Sequence, residues 1–425
     1  MPGVLRGVNY SSPVARYRGE SIVTVARKLR GGVEKEGLTI DLAIDVFYSL
    51  YLPYPILKPV SEVGEELERN YYVIKGLVES DDAAEIRKHT VTNTSLSSLV
   101  SASLVDLIIK ELRKEGQGQG EGSGEGPESQ SVMNAVRRAV RQAVKEVAYI
   151  RRLEQLLGRG DEAGVGSRMD FVEEGEEVIK LARNADVRDL LEYFTQVPDV
   201  IRSIRRKYER FSRGEIRGYE VGSDLERVVP TELVLPDIYF QVKFMESKLL
   251  LFEKVLPKTQ GPIYLLTDKS GSMDGEKIRW AKALSIALLM KSRKERRAFY
   301  MRFFDSIPHK LVRISRRSRP KEVLELIKEL ANVGGSGGTD ISRALVKACS
   351  DIGSGRVRGV SDIVLVTDGE DSVNDSLIKR RLRSSNARLI TVMVMGENTD
   401  LRRTSDAYLR VLRLTKEEML KVVEA

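Results

Sequence analysis

The stretch Ile263-Tyr264-Leu265-Leu266-Thr267-Asp268-Lys269-Ser270-Gly271-Ser272-Met273 passes from an apolar run of strand length straight into a polar turn of the form D-x-S-x-S. Alternation in a tight loop aims Asp268, Ser270 and Ser272 the same way, and Gly271 permits the turn, so three oxygens converge on one point. Such a set suits a hard cation. It would sit at the carboxyl end of a buried strand, where open α/β sheets bind their ligands.

Further along, two segments supply matching pieces. The Gly-rich loop GGSGGTD presents Thr339 just before a helix, and LVTDGED places Asp368 just after a second buried strand. Parallel strands bring both loops to one edge. From Gly261 onward, strand-length apolar runs alternate with amphipathic helices, as βαβ units do. Strands are expected over 263–267, 298–304, 309–314, 363–367 and 389–395, with helices near 276–293, 321–330, 341–351, 376–383 and 406–412. The fold class is α/β, a doubly wound, Rossmann-like domain over 261–425 preceded by a mostly α-helical N-terminal region.

Together these motifs resemble the von Willebrand factor A (VWA) family, whose metal-ion-dependent adhesion site combines D-x-S-x-S, a distant Thr and a distant Asp in this order. The resemblance implies Mg²⁺ or Mn²⁺ held by the hydroxyls of Ser270, Ser272 and Thr339, with Asp268 and Asp368 contacting it directly or through water. Mg²⁺ keeps an octahedral shell with exchangeable waters, one of which a partner's carboxylate could replace. The plainer alternative is that both aspartates cap helices and the serines fill a turn. Asp274, Glu370, Asp371 and Asp375 add charge near the same edge and suit helix starts, while Lys269 is expected at the solvent rim.

Upstream, Tyr219 to Leu235 (YEVGSDLERVVPTELVL) is followed by a helix and then GPIYLLTDKSGSM. With Trp280-Ala281-Lys282-Ala283 and the GGTD loop, this arrangement is similar to the CoxE-like and ViaA-like branch of the family, in which a helical region precedes a C-terminal A domain. The block Asp224 to Leu235 can serve as an interdomain packing strap or as a partner surface.

The first half of the chain is helical by pattern. Residues 1–114 place apolar residues at helical spacing, notably Leu99, Ala102, Leu104, Val105, Ile108, Ile109 and Leu112. The Gly/Glu-rich stretch 115–131 cannot form a packed element and reads as a flexible acidic linker. Residues 132–250 read as helical again, with Val136, Val140, Val144 and Val147 on one face and a basic run at Arg202, Arg205, Arg206, Lys207, Arg210 and Arg213. That run is expected to be a solvated face. The apolar stretch Val46 to Leu57 contains Pro53 and Pro55, which end any helix there, and is expected to serve the core.

Composition narrows the function classes. The 425 residues include one cysteine, Cys349, and two histidines, His89 and His309, so any metal must be held mainly by oxygens. The net charge is +8, but residues 261–425 hold 32 Lys+Arg against 21 Asp+Glu, a net of +11, leaving −3 upstream. No apolar run of about 18 residues occurs and none follows the first arginines, so no membrane span and a cytoplasmic location are expected.

The function expected is a non-catalytic, metal-dependent protein-binding adaptor. The resemblance implies a MoxR-type AAA+ ATPase, or its client protein, engaged through an acidic side chain in complex remodelling or metal-centre maturation. One alternative is an RNA-binding scaffold resembling Ro-type proteins, but nucleic acid is disfavoured because residues 1–260 are not basic. The other is a Mg²⁺-dependent hydrolase, which lacks a Walker-type loop and any base adjoining the site.

Overall fold

The computed structural model describes residues 3–31, 38–118, 128–157, 170–195, 208–257, 261–315, 318–357 and 361–424. The chain divides into two compact units. One comprises Met1–Gln196 with Asp274–Ile286 and Ile314–Gly335; the other comprises Val197–Met273, Ala287–Arg313 and Ser336–Ala425.

The first unit is helical: α1 (Pro13–Leu29), α2 (Ile40–Tyr51), α3 (Glu68–Val78), α4 (Asp81–Thr90), α5 (Thr94–Gly118), α6 (Glu128–Leu157), α7 (Phe171–Arg183) and α8 (Ala185–Thr195). Thr39 starts α2 by accepting a hydrogen bond from the Leu42 amide, and the helix stops before Pro53, whose ring cannot follow a helical turn. Val46, Phe47 and Leu50 are buried as core, whereas Tyr54 and Ile56 are exposed. The helical face of α5 is buried at Leu99, Ala102, Leu104, Val105, Ile108 and Ile109, and that of α6 at Val136, Val140 and Val147.

Between these helices lies a buried ionic cluster. Arg183 reaches Asp106 at 2.7 Å and Glu146 at 3.1 Å, and Arg30 meets Asp106 at 3.1 Å. Near the start of the chain, the Val4 amide donates to Asp45 at 3.2 Å and the Tyr10 hydroxyl donates to the same carboxylate, which is fully buried.

The linker is shorter than the composition suggests, because α5 continues to Gly118 and α6 begins at Glu128. An established helix propagates at little cost per residue, which carries α5 beyond Lys114. A second difference lies within 132–250. Arg202, Arg205, Arg206 and Lys207 fall outside the described residues, but Arg210 and Arg213 lie on a strand, β1 (Tyr208–Gly222), paired antiparallel with β2 (Leu249–Pro257). Two register shifts, between Arg210 and Glu215 and between Ile216 and Gly218, break the alternation that marks a strand and leave apolar residues at helix-like intervals.

After a short helix, α9 (Asp237–Met245), the chain enters a six-stranded sheet of order β5-β4-β3-β6-β7-β8. Its strands are β3 (Ile263–Asp268), β4 (Phe299–Phe304), β5 (Val312–Ile314), β6 (Ser361–Thr367), β7 (Ala387–Val394) and β8 (Ala407–Val411). Pairing is parallel from β4 through β3, β6 and β7 to β8. The helices in this stretch of sequence are α10 (Glu276–Lys294), α11 (Pro320–Asn332), α12 (Ile341–Gly353), α13 (Asp375–Ser385), α14 (Thr399–Thr404) and α15 (Lys416–Glu424), of which α11 and the first part of α10 belong to the first unit. One sheet face buries Tyr264, Leu266, Ile363, Leu365 and Leu389 against Ile341, Leu345, Ile378 and Leu382 of α12 and α13.

Residues 406–412, expected to be helical, instead form the edge strand β8. Five residues cannot be told apart by period alone, and here Asp406 bonds Leu389 through both its amide and its carboxylate, which pairs the segment with β7. Under the sheet, Arg302 pairs with the buried Asp351 at 2.6 Å, and both contact the Tyr264 hydroxyl.

Candidate metal centre

The strand order dictates where a ligand can lie. From β3 the chain moves one way, to β4 and β5, and then returns to the other side for β6, β7 and β8. The crevice beyond the carboxyl ends of β3 and β6 is therefore the topological switch point of the sheet. Asp268 is the last residue of β3 and Asp368 the first after β6.

Asp268 is fully buried, Asp368 and Ser270 nearly so. The Ser270 amide donates to Asp268 Oδ1 at 2.8 Å, folding the turn back on its first residue, and the Ser270 and Ser272 hydroxyl oxygens lie 3.1 Å apart. The other Asp268 oxygen accepts a hydrogen bond from Thr367 Oγ1 at 2.6 Å, and that hydroxyl accepts one from the Gly369 amide at 3.1 Å. Burial lifts the Asp268 carboxyl above its usual range against the hydrogen bonds from Thr367 and Ser270, and the negative charge of Asp368 adds to the rise.

Thr339 is placed by backbone clamps. The Gly271 amide donates to the Gly337 carbonyl at 3.0 Å, and the Ser336 amide donates to the Lys269 carbonyl at 2.7 Å. Gly337 takes a φ of +89°, open to glycine alone at little cost. The structure thus brings Asp268, Ser270, Ser272 and Asp368 to one crevice and ties the loop carrying the half-buried Thr339 to the same turn.

Lys269 is not at the rim. It pairs at 3.1 Å with Asp305, which also meets His309 Nε2 at 2.8 Å and whose carbonyl accepts from the Asp340 amide. Burial opposes ionisation of Asp305, but the Ile307 amide, His309 and Lys269 outweigh it and hold the carboxyl down at about 2. Asp371 behaves as a helix start, accepting from the Ile341 amide at 2.8 Å, and Asp375 opens α13 and pairs with Lys379.

Some supporting residues had no signal in the motifs. Asn398 donates to the carbonyls of Gly369 and Asp371 at 3.0 and 2.7 Å, bracing the turn after Asp368. A Cβ on Gly396 would overlap the Asp368 carbonyl, so only glycine lets these loops approach. Thr367 and Asp305 likewise act across strands, on Asp268 and Lys269, with His309 bonded to Asp305 from the same connection, and only their position at strand ends hinted at a role.

The donor set is entirely oxygen, with two carboxylates and up to three hydroxyls, which fits a hard divalent cation such as Mg²⁺. Among the described residues no group of three or more His, Cys, Asp or Glu is placed to hold a metal ion, so the hydroxyls are integral to any such site.

Residues 263–370 match the von Willebrand factor type A domain, and this part of the chain is such a domain. An uncharacterized protein of Methanocaldococcus jannaschii is 31% identical over 259 residues, 58% of this chain and 58% of that protein. A second uncharacterized protein of the same organism is 27% identical over 277 residues, 62% of this chain and 69% of that one. The chain thus spans little more than half the length of the first of these relatives. Among solved structures, proximal thread matrix protein 1 from the mussel byssus, with a zinc-occupied MIDAS motif, matches 39% of this chain and 47% of its own at 17% identity and a TM-score of 0.33.

Proposed function

We propose that this chain is a non-catalytic, metal-dependent protein-binding adaptor, working in the cytoplasm with a MoxR-type AAA+ ATPase in complex remodelling or metal-centre maturation. The observation that carries the reading is the pair of buried carboxylates, Asp268 and Asp368, set with serine hydroxyls at the switch point of the sheet. Two like charges in so dry a place favour a cation between them.

When bound, Mg²⁺ or Mn²⁺ supplies a coordination position that an acidic side chain of the partner can take. The chain's own part is to hold the donors ready. Thr367 and the Ser270 amide orient Asp268, and the clamps to Ser336 and Gly337 fix the third loop. Ile307 and Met395 stand exposed after β4 and β7 at the same edge, offering apolar contact around an acidic anchor. The order of a helical region before an A domain, as in CoxE-like and ViaA-like proteins, supports the choice of partner.

The test is capture of a MoxR-type ATPase by the purified chain with Mg²⁺, with chelator, and with Ser270→Ala. Chelation and the substitution should each abolish capture while the melting transition persists. Capture unchanged by either would overturn the metal-bridge reading.

A further inference from the structure

Helix α9, Asp-Ile-Tyr-Phe-Gln-Val-Lys-Phe-Met, is made largely of apolar residues, yet none of the nine is buried. A helix this short does not persist on its own propensity, so something else must hold it. The holding contacts are polar. Lys243 donates to both oxygens of Glu232 at 2.8 and 2.7 Å, and Glu232 is itself buried. The Val229 amide donates to the Leu250 carbonyl at 3.0 Å, stitching the preceding segment to β2.

Polar staples at Val229, Glu232 and Lys243 leave the apolar side chains to water. Val234 and Met245 are 84% and 83% exposed, and Leu233, Ile238 and Tyr239 are exposed beside them. Such a concentration of large apolar groups on a folded surface marks an interaction site. The block Asp224 to Leu235 is held to its own neighbourhood through Val229 and Glu232 and leaves Leu233 and Val234 exposed.

Charge identifies what covers it. Residues 218–253 contain seven acidic and three basic residues, a net of −4 within a chain of net +8. Each of the three basic residues is already ion-paired within the segment: Arg227 with Glu220 and Asp224, Lys243 with Glu232, and Lys248 with Glu246. A second copy of the same face would set −4 against −4, and an anionic membrane surface would be repelled in the same way. We propose that the α9 face docks an amphipathic helix of a partner protein whose apolar stripe is flanked by Lys and Arg. This contact is separate from the metal centre and does not depend on it.

The probe is a fluorescein-labelled helical peptide of leucine and lysine, about five turns long, with a leucine and glutamate counterpart, each titrated against the full chain by fluorescence polarisation. The lysine peptide should bind about tenfold or more tightly than the glutamate peptide, with or without chelator. Ile238→Ser with Met245→Ser, and separately Val234→Ser, should each weaken binding about tenfold while leaving the circular dichroism melt in place. Equal affinity for both peptides, or lysine-peptide binding unchanged by both variants, would overturn the proposal. So would a dimer by light scattering that the same variants dissociate, since the face would then belong to a second copy.

Discussion

Replacing Thr367 by valine removes one hydroxyl while keeping shape and burial, and it tests how the candidate centre is built. Thr367 Oγ1 donates to Asp268 at 2.6 Å and accepts from the Gly369 amide at 3.1 Å, and the residue is fully buried. Valine leaves a buried carboxylate short of a donor and a buried amide short of an acceptor. Hydrogen bonds to charged groups are worth about 1.5–3 kcal/mol, so unfolding free energy without metal should fall by about that amount. Groups that hydrogen-bond and orient a metal's ligands typically contribute about 10- to 100-fold in affinity.

At a Mg²⁺ concentration about 100 times the wild-type dissociation constant, bound metal stabilises the native chain by about 2.7 kcal/mol. For the variant at the same concentration this gain should shrink to between about 1.4 and about 0.4 kcal/mol. Urea titrations of both proteins, with and without Mg²⁺, measure the two effects together. If Thr367→Val leaves both the metal-free stability and the Mg²⁺ increment unchanged, then Asp268 is not oriented for metal by this contact and the account of the centre fails.

The other expectations concern the frame around it. Gly396→Ala sets a Cβ against the Asp368 carbonyl and should cost about 1–3 kcal/mol in urea denaturation together with Mg²⁺ binding; wild-type behaviour would show that the loops do not need this approach. Arg302→Met leaves the buried Asp351 without its nearest cation and should destabilise the sheet unit by about 3–5 kcal/mol, a figure that Lys347 and Arg356 at 3.7 and 3.5 Å can only reduce. Burial raises Asp45 to about 7 against the hydrogen bonds from Tyr10 and Val4, so the folded chain keeps a proton there that the unfolded chain has released. Its stabilising contribution is complete below about pH 4, declines as the pH rises, and is gone above about 7. Asp45→Asn should flatten that slope in melts run from pH 4 to 8, and an unchanged slope would refute the assignment.

Much of the α/β half was legible because its chemistry is local. D-x-S-x-S carries its own turn, and the apolar runs at 263–268 and 361–367 are long enough to read as buried strands. What stayed hidden depends on contacts between distant segments. The strand at 407–411 is defined by its neighbour β7 rather than by any period of its own. The strand at 208–222 loses its alternation at two register shifts. Lys269 looked like a rim residue because nothing near it in sequence announces Asp305, and Thr367 looked like ordinary strand until its hydroxyl met Asp268 from the adjacent strand. In the helical half, Asp106 and Glu146 are brought together only when α5, α6 and α7 assemble around Arg183, a contact no local pattern announces.

The bracing of the Asp368 turn by Asn398 has a consequence for how the chain is made. Synthesis runs from the N-terminus at about 5–20 residues per second. The first carboxylate, Asp268, emerges well before Asn398, which braces the turn after the second. The local contact between the Ser270 amide and Asp268 can form early, whereas the brace on the turn after Asp368 cannot. The crevice between Asp268 and Asp368 is thus a product of the whole sheet, complete only when the segment carrying Asn398 has joined it.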